Sequence, residues 1–286
     1  MKKSKQFTLM DINNLIEMAI AEDIGSGDHT SLSCIPADAI GKAQLLVKEK
    51  GVLAGMDVAN MVFQRIDKNL VFNPLLKDGD LITPGDIAFT IEGSNQSILK
   101  AERIVLNFMQ RMSGIATKTN HYIQLIEGFN TKVLDTRKTT PGLRLIEKMA
   151  VKIGGGQNHR MGLYDMIMIK DNHIDFAGGI KAAINKTNAY LKENGLDLKI
   201  EIEARNLTEL DEILAVGHVD IIMLDNFSFE DMRTAVKKIN GKYKTEASGG
   251  INETTIRAYA ACGVDFISVG ALTHQINSLD LSLKAI

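Results

Sequence analysis

Residues 131–173 read TKVLDTRKTTPGLRLIEKMAVKIGGGQNHRMGLYDMIMIKDNH. The stretch opens with a short strand-like run, Lys132 to Asp135, that ends in Thr136-Arg137-Lys138. It closes with a second apolar run, Met166 to Ile169, that ends in Lys170-Asp171-Asn172-His173. Between them lie Gly154-Gly155-Gly156 and the pair His159-Arg160. Arg137, Lys138, His159, Arg160 and Lys170 therefore come from strand ends and a glycine-rich turn, the places where an α/β fold puts its chemistry. The whole chain carries 33 Lys and Arg against 35 Asp and Glu, a net charge of -2. A local knot of cations in such a chain points to a polyanionic small ligand rather than to a nucleic-acid surface.

Downstream, apolar runs alternate with helical stretches. Candidate strands are Lys132 to Asp135, Met166 to Ile169, Leu198 to Ile202, Val219 to Leu224, Tyr243 to Ala247 and Val264 to Val269. Candidate helices are Gly179 to Asn194, Leu207 to Ala215, Ser228 to Ile239 and Asn252 to Cys262. Repeated βα units with nearly all-apolar strands predict a parallel sheet buried on both faces. No switch-point glycine fingerprint follows a first strand, so a parallel α/β barrel, complete or partial, is expected over an open sheet.

Upstream, Leu9 to Ala21 has helical spacing, and the loop Glu22 to Thr30 is acidic and punctuated by glycine. Its carboxylates do not fit a calcium loop, which leaves a capped turn. Lys42 to Lys50 alternates like a strand, with Ala43, Leu45 and Val47 on one side. Met56 to Ile66 reads as a helix and Ile87 to Ile91 as a strand. Gln96 to Gly114 is a long helix with an apolar stripe (Ala101, Val105, Phe108, Met112, Ile115) and a polar one (Lys100, Arg103, Asn107, Gln110, Gly114). The expected organisation is an N-terminal α+β sandwich domain with the long helix over 1–115, a catalytic barrel over 116–275, and a segment 276–286 that packs back on the N-terminal domain.

The 286 residues allow one large domain or two modest ones, and 45% hydrophobic with 24% charged residues is an ordinary globular balance. No apolar run is long enough to span a bilayer, and no secretory segment is expected ahead of the first helix. Cys34 and Cys262 are the two cysteines and lie in no metal-ligand spacing, so a reducing, cytoplasmic compartment is the expectation. Trp is absent and aromatics are few, which argues against a base-stacking surface.

Each candidate strand ends in a polar or glycine element: Arg137-Lys138, Lys170, Glu203, Asp225, Ser248-Gly249-Gly250 and Gly270. In a barrel these converge on one mouth. Singly each has a dull reading. Glu203 can pair with Arg205, Asp225-Asn226 can cap the next helix, and Lys170 can be a solvated loop lysine. The ordered series is harder to dismiss. Backbone N–H groups at Ser248-Gly249-Gly250 and at Val269-Gly270 suit a phosphate, as in the last two βα turns of many barrels.

Longer blocks carry a resemblance. They are Ala101-Glu102-Arg103 with Leu106-Asn107, Ser113 to Thr117, Thr136-Arg137-Lys138-Thr139 with Pro141 to Arg144, and Asn158-His159-Arg160. Lys170 to His173, Glu201-Ile202-Glu203, Leu224-Asp225-Asn226, Ser248-Gly249-Gly250 and Ser268 to His274 complete them. Together they resemble the quinolinate phosphoribosyltransferases over nearly the whole chain. Asp135 departs from the glutamate of many members, and His29 from a β-branched apolar residue.

The resemblance implies transfer of a phosphoribosyl group from phosphoribosyl pyrophosphate to quinolinate, with decarboxylation to nicotinate mononucleotide. It implies a quinolinate set of Arg137, Lys138, His159 and Arg160, with Lys138 also stabilising charge as the carboxylate departs. Thr136 and Lys170 join the substrate-binding set. Glu203 and Asp225 face the ribosyl centre and are the candidate Mg²⁺ ligands, directly or through the substrate. Ser248, Gly249, Gly250, Ser268, Val269 and Gly270 take the 5′-phosphate. Arg103 is implied to enter the neighbouring subunit's site in a homodimer. The chemistry suits these residues independently, because arginine forks pair with adjacent carboxylates better than lysine does. Neither nucleic acid nor membrane is an expected partner. The alternatives are a molybdenum-transport-associated relative of the same fold, a Schiff-base aldolase using Lys170, and a non-catalytic sensor.

Overall fold

A computed structural model describes residues 2–286, with side chains from residue 12 onward. In chain order its elements are α1 (Lys2–Ile24), α2 (His29–Cys34), β1 (Ile40–Val47), β2 (Gly51–Val52), α3 (Met56–Ile66), β3 (Val71–Pro74), β4 (Leu81–Ile82), β5 (Ile87–Ser94) and α4 (Asn95–Leu125). Then come β6 (Lys132–Leu134), α5 (Arg144–Ile153), β7 (Ile167–Ile169), α6 (Asp171–Ala177), α7 (Ile180–Asn194), β8 (Ile200–Ala204), α8 (Leu207–Val216), β9 (Ile221–Asp225) and α9 (Phe229–Ile239). Last are β10 (Lys244–Ser248), α10 (Ile256–Ala260), β11 (Phe266–Ser268), α11 (Ala271–His274) and β12 (Leu281–Ala285). Packing divides them into two units. The first takes the chain up to Asn120, Thr139–Gly155 and Leu272–Ile286; the second takes His121–Lys138 and Gly156–Ala271.

The first unit is built on an antiparallel sheet in the order β12-β1-β5-β3. Ala43, Leu45 and Val47 alternate inward along β1, as its sequence pattern requires. Phe63 of α3 packs with Phe72 and Phe89 of the sheet, at ring-centroid distances of 6.0 and 5.8 Å. The acidic loop is a helix cap: Asp28 accepts the Ser31 N–H at 3.1 Å and starts α2. Helix α1 extends further in both directions than Leu9 to Ala21, and the side chains before Ile12 lie outside the described residues.

Helix α4 is longer than its sequence stripe suggested and is buried on more than one side: Ile104, Leu106 and Met109 are as enclosed as the expected Ala101 and Val105. Two of the five residues of the polar stripe, Gln110 and Gly114, are covered by the segment that leads into β12. The Gln110 side chain donates to the Leu281 carbonyl at 2.9 Å, and the Leu279 N–H donates to the Gln110 carbonyl at 2.9 Å. Gly114 has no room for a side chain, since a Cβ there would stand 2.1 Å from the Asn277 carbonyl oxygen. Arg103 and Asn107 remain exposed.

The unit boundary falls at Asn120 rather than 115, and Thr139–Gly155 groups with the first unit. A part-buried ion pair ties that segment to α4. Arg111 of α4 donates through Nε to Glu147 Oε1 at 2.9 Å and through Nη2 to Thr140 Oγ1 at 2.6 Å. Glu147 is fully enclosed and also accepts the Thr140 N–H at 3.2 Å. Gly154, at the end of α5, lies so close to α4 that a Cβ would be 2.4 Å from the Ala116 carbonyl oxygen.

The second unit is a six-stranded parallel sheet in the order β6-β11-β10-β9-β8-β7. Strands β7 to β11 are neighbours in chain order, and β6 comes round beside β11. This is the order of a barrel cut between its first two strands. Gln157 bridges the free side of β6: its N–H donates to the Val133 carbonyl at 2.9 Å and its carbonyl accepts the Asp135 N–H at 3.1 Å. Every residue of β8 is buried, as a sheet covered on both faces demands. The helices obey their termini. In α9, Ser228 caps the Asp231 N–H, Glu230 and Asp231 open the first turn, Lys237 and Lys238 close the last, and Asn240 turns out with φ 47°. No described helix is long and apolar enough to cross a membrane.

Gly114→Ala should drive the terminal segment off α4. The expected loss is about 1–3 kcal/mol in urea unfolding, with faster proteolysis after residue 276. Unchanged stability and protection would show that the segment is not held there.

Candidate active site

All strands of the second unit run parallel, so their carboxyl ends form one rim. Register sets who stands beside whom. Ser248 pairs with Asp225, and Ala247 with Ile267, which brings Ser248 level with Ser268. Ile169 pairs with Ile202, so Lys170 comes level with Glu203. Side chains two residues apart share a face. Glu201 and Glu203 on β8, Met223 and Asp225 on β9, and Glu246 and Ser248 on β10 therefore point the same way.

At the rim, Lys170 forms an ion pair with Glu203 Oε1, and the Asp171 N–H reaches Glu203 Oε2 at 3.3 Å. Glu203 is thus partnered by Lys170 and not by Arg205, which pairs with Glu209 and Asp175. A Schiff-base lysine needs a free amine, so the ion pair speaks against the aldolase reading. Asp225 accepts the Asn226 side-chain N–H at 2.8 Å, and Ser248, Gly249 and Gly250 follow in the next strand end. Ser268 is buried, and the Val269 N–H is engaged by the Leu134 carbonyl at 2.9 Å, so that amide is not available to a ligand. Thr136 accepts the Lys138 N–H at 3.1 Å, and the Arg137 and Lys138 side chains are exposed. Arg103 is exposed on α4 of the first unit.

Below the rim sits a group that strand-end reasoning does not reach. His159 Nε2 stands 2.9 Å from Glu201 Oε2 and 3.4 Å from Glu246 Oε2, and both carboxylates are fully buried. The His159 N–H donates to Asp135 at 2.8 Å, so the shorter acid at this position still holds the turn. Nδ1 accepts the Arg160 N–H at 2.7 Å. Both ring nitrogens are therefore engaged inside the unit. Arg160 itself donates to the Met166 carbonyl at 3.2 Å; burial and the Arg137 guanidinium lower its pKa. It also lines a cavity of about 340 Å³ along the open edge of β7, with Met168, His173 and Lys186; that cavity does not include Glu203, Asp225 or Ser248.

The four oxygens of Glu201 and Glu246 receive no hydrogen bond of good geometry among the described residues. Two buried carboxylates at such range do not both stay charged without help. Burial and the Glu246 charge push Glu201 up to about 7. Burial works against the His159 charge, but the two carboxylates outweigh it and push the ring up to about 10. A second ring proton would sit on Nδ1 and break the Arg160 N–H bond. The added proton is therefore better held between the carboxylates, where it supplies the missing donor. Either location gives the same sign: the folded cluster holds a proton that the unfolded chain releases. Of the His, Cys, Asp and Glu side chains, these three form the one described set with ligand atoms mutually within 4.8 Å.

Comparison with known proteins gives one consistent result. Residues 28–113 match the quinolinate phosphoribosyl transferase N-terminal domain, and residues 115–284 match the C-terminal domain. The chain is 44% identical to the chloroplastic carboxylating nicotinate-nucleotide pyrophosphorylase of Arabidopsis thaliana, covering 96% of this chain and 82% of that one. It is 40% identical to a probable carboxylating nicotinate-nucleotide pyrophosphorylase of Bacillus subtilis, covering 96% and 93%. The crystal structure of NadC from Streptococcus pyogenes superposes with a TM-score of 0.92 at 41% identity, over 97% of this chain and 98% of that one.

The cluster makes stability fall with rising pH. Its proton is fully held below the ordinary values, 4.5 for a glutamate and 6.5 for a histidine, and is lost as pH rises through about 7 and about 10. Denaturant unfolding at pH 7 and pH 10 should show a loss of about 1–3 kcal/mol, smaller in Glu246→Gln, which removes one of the two charges. A wild type with flat stability over that interval would contradict the cluster.

Proposed function

Because the chain belongs to the quinolinate phosphoribosyl transferase family, we infer that its strand-end rim holds quinolinate and phosphoribosyl pyrophosphate. The protein is a phosphoribosyltransferase of NAD biosynthesis, and its reaction gives nicotinate mononucleotide, pyrophosphate and carbon dioxide. The ring nitrogen of quinolinate attacks C1 of the ribose, the C1–oxygen bond to pyrophosphate breaks, and the carboxylate beside the nitrogen leaves as carbon dioxide. The electron pair left on the ring carbon takes up a proton.

The observation that best supports these roles is the order of the rim: Lys170 with Glu203, then Asp225, then Ser248-Gly249-Gly250, on adjacent strand ends. Arg137, Lys138 and Arg160 are assigned to the two ring carboxylates, with Lys138 stabilising the charge that shifts as one departs. Thr136, whose hydroxyl holds the Lys138 N–H, orients that loop. His159 supports Arg160 from behind, since both of its ring nitrogens are engaged. Asp225 faces the cationic ribosyl centre, and Ser248, Gly249, Gly250, Ser268 and Gly270 receive the 5′-phosphate. Lys170 neutralises pyrophosphate when it exchanges its partner Glu203 for the substrate.

Magnesium fits Asp225 better than Glu203. Asp225 is part-exposed and uses only Oδ2 in a described hydrogen bond, whereas both Glu203 oxygens are engaged by Lys170 and the Asp171 N–H. Asp225 would hold a hard cation through its carboxylate oxygen, and the cation would supply charge neutralisation for the departing pyrophosphate. The assembly is a homodimer in the cytoplasm in which Arg103, exposed on α4, completes the partner's site.

Purified protein given quinolinate, phosphoribosyl pyrophosphate and Mg²⁺ should release carbon dioxide and nicotinate mononucleotide in equal amounts; no product would overturn the assignment. Nicotinate, with one carboxylate, should show a kcat/KM at least about 100-fold lower, because the second set of cations goes unpaired. Arg103→Ala and Lys138→Ala should each be nearly inactive. Their mixture should regain activity after subunit exchange, since one site per mixed dimer then holds both native residues. Exchange proved by mass spectrometry without activity would place Arg103 outside the site.

A further inference from the structure

Three described residues other than glycine have positive φ: His218, Asn226 and Asn240. Asn240 closes α9 as a left-handed cap. Asn226, with φ 55°, follows the last residue of β9 and has no such excuse. It does not cap α9 either, because Ser228 does. A left-handed asparagine at a strand end needs other contacts to hold it.

Those contacts join two parts of the rim. The Asn226 N–H donates to the Ser248 carbonyl at 2.9 Å, which ties the end of β9 to the end of β10. Its side-chain Nδ2 donates to Asp225 Oδ2 at 2.8 Å. The rest of the amide lies against Gly249. A Cβ on Gly249 would stand 2.2 Å from Asn226 Oδ1, 2.5 Å from its Cγ and 2.9 Å from its backbone nitrogen. Gly249 also has φ +99°. The glycine in this turn is thus required by Asn226, whatever ligand the turn holds.

We propose that Asn226 is a positioning residue for the phosphoribosyl half of the reaction, fixing the distance between the Asp225 carboxylate and the Ser248-Gly249-Gly250 turn. The inference rests on the assignment of those two elements to the ribosyl centre and the 5′-phosphate. One substrate spans both: the phosphate anchors the sugar, and the carboxylate must meet C1 as positive charge develops there. An error of about 1 Å in such a placement costs on the order of 100-fold in rate. Asn226 meets the conformational demand that few other residues meet, and its amide has a donor for the carboxylate on one side and bulk for the glycine on the other.

The test compares Asn226→Gly and Asn226→Asp with the wild type. Glycine keeps the left-handed backbone and deletes the amide; aspartate keeps the shape, loses the donor and puts a second anion beside Asp225. Both should lower kcat at least tenfold and raise the KM for phosphoribosyl pyrophosphate, while the KM for quinolinate stays within twofold. A merely structural residue would lower the melting temperature and the active fraction without that split. If the glycine variant does not fold, the aspartate variant gives the same readout. An active wild type beside folded variants with unchanged kcat and KM overturns the proposal alone. A wild type that makes no nicotinate mononucleotide overturns the assignment of the rim, and this inference with it.

Discussion

The arrangement on which the second unit depends is the burial of negative charge beneath a rim of positive charge. Glu201 and Glu246 come from strands that are not neighbours, with β9 between them, yet both reach His159. His159 comes from neither strand. It lies in the segment that bridges the open side of β6, and Asp135 fixes its backbone. The ring of His159 gathers β8, β10 and the turn that carries Arg160, and its backbone adds the end of β6. Arginines crowd one another when empty, and Arg137 and Arg160 do so here. Buried carboxylates below them offset that repulsion before any substrate arrives.

The same logic runs outward to the rim, where charge is held in exchangeable rather than permanent pairs. The Lys170–Glu203 pair is half open to solvent, while the Glu201–His159–Glu246 group is closed. Ion pairs at a surface are weak and change partners easily; enclosed ones do not. A site that must accept a highly charged pyrophosphate donor and a dianion, then release pyrophosphate, needs the first kind where ligands touch and the second where they do not.

Much of this was legible in the sequence. The six strands and four main helices of the second unit appear as apolar runs and helical spacings because a sheet buried on both faces needs them. Helix α5 went unread although Leu145, Ile146, Met149, Ala150 and Ile153 recur at helical spacing; what the spacing could not show is that Glu147 and Lys148 are buried beside Ile146. Helix α6 buries only Ile174 and leaves no period to read. At the site, Lys170, Glu203, Asp225 and the Ser248-Gly249-Gly250 turn were visible as strand ends. Glu246 was hidden because it lies inside a strand; the available signal was an acid in the middle of a strand, Tyr243 to Ala247, expected to be buried on both faces. Asn226 looked like a helix cap, and only its backbone angle shows otherwise. Gln110 and Gly114 looked like an open polar face, since a periodicity does not tell which segment will lie over it.

That covering segment has a consequence for how the chain is made. Strand β12 is the edge partner of β1, so a ribosome must deliver every element from β2 to α11 before the first sheet has its outermost strand. Most of the second unit emerges earlier, as an almost unbroken run from Gly156 to Ala271 with only β6 and its flanks supplied from upstream. At roughly 5–20 residues per second, the N-terminal unit waits about ten seconds or more with β1 unpaired on that side. An exposed strand edge is a template for pairing with another chain. For this protein the hazardous interval is set by translation speed, and it ends only when β12 zips onto β1.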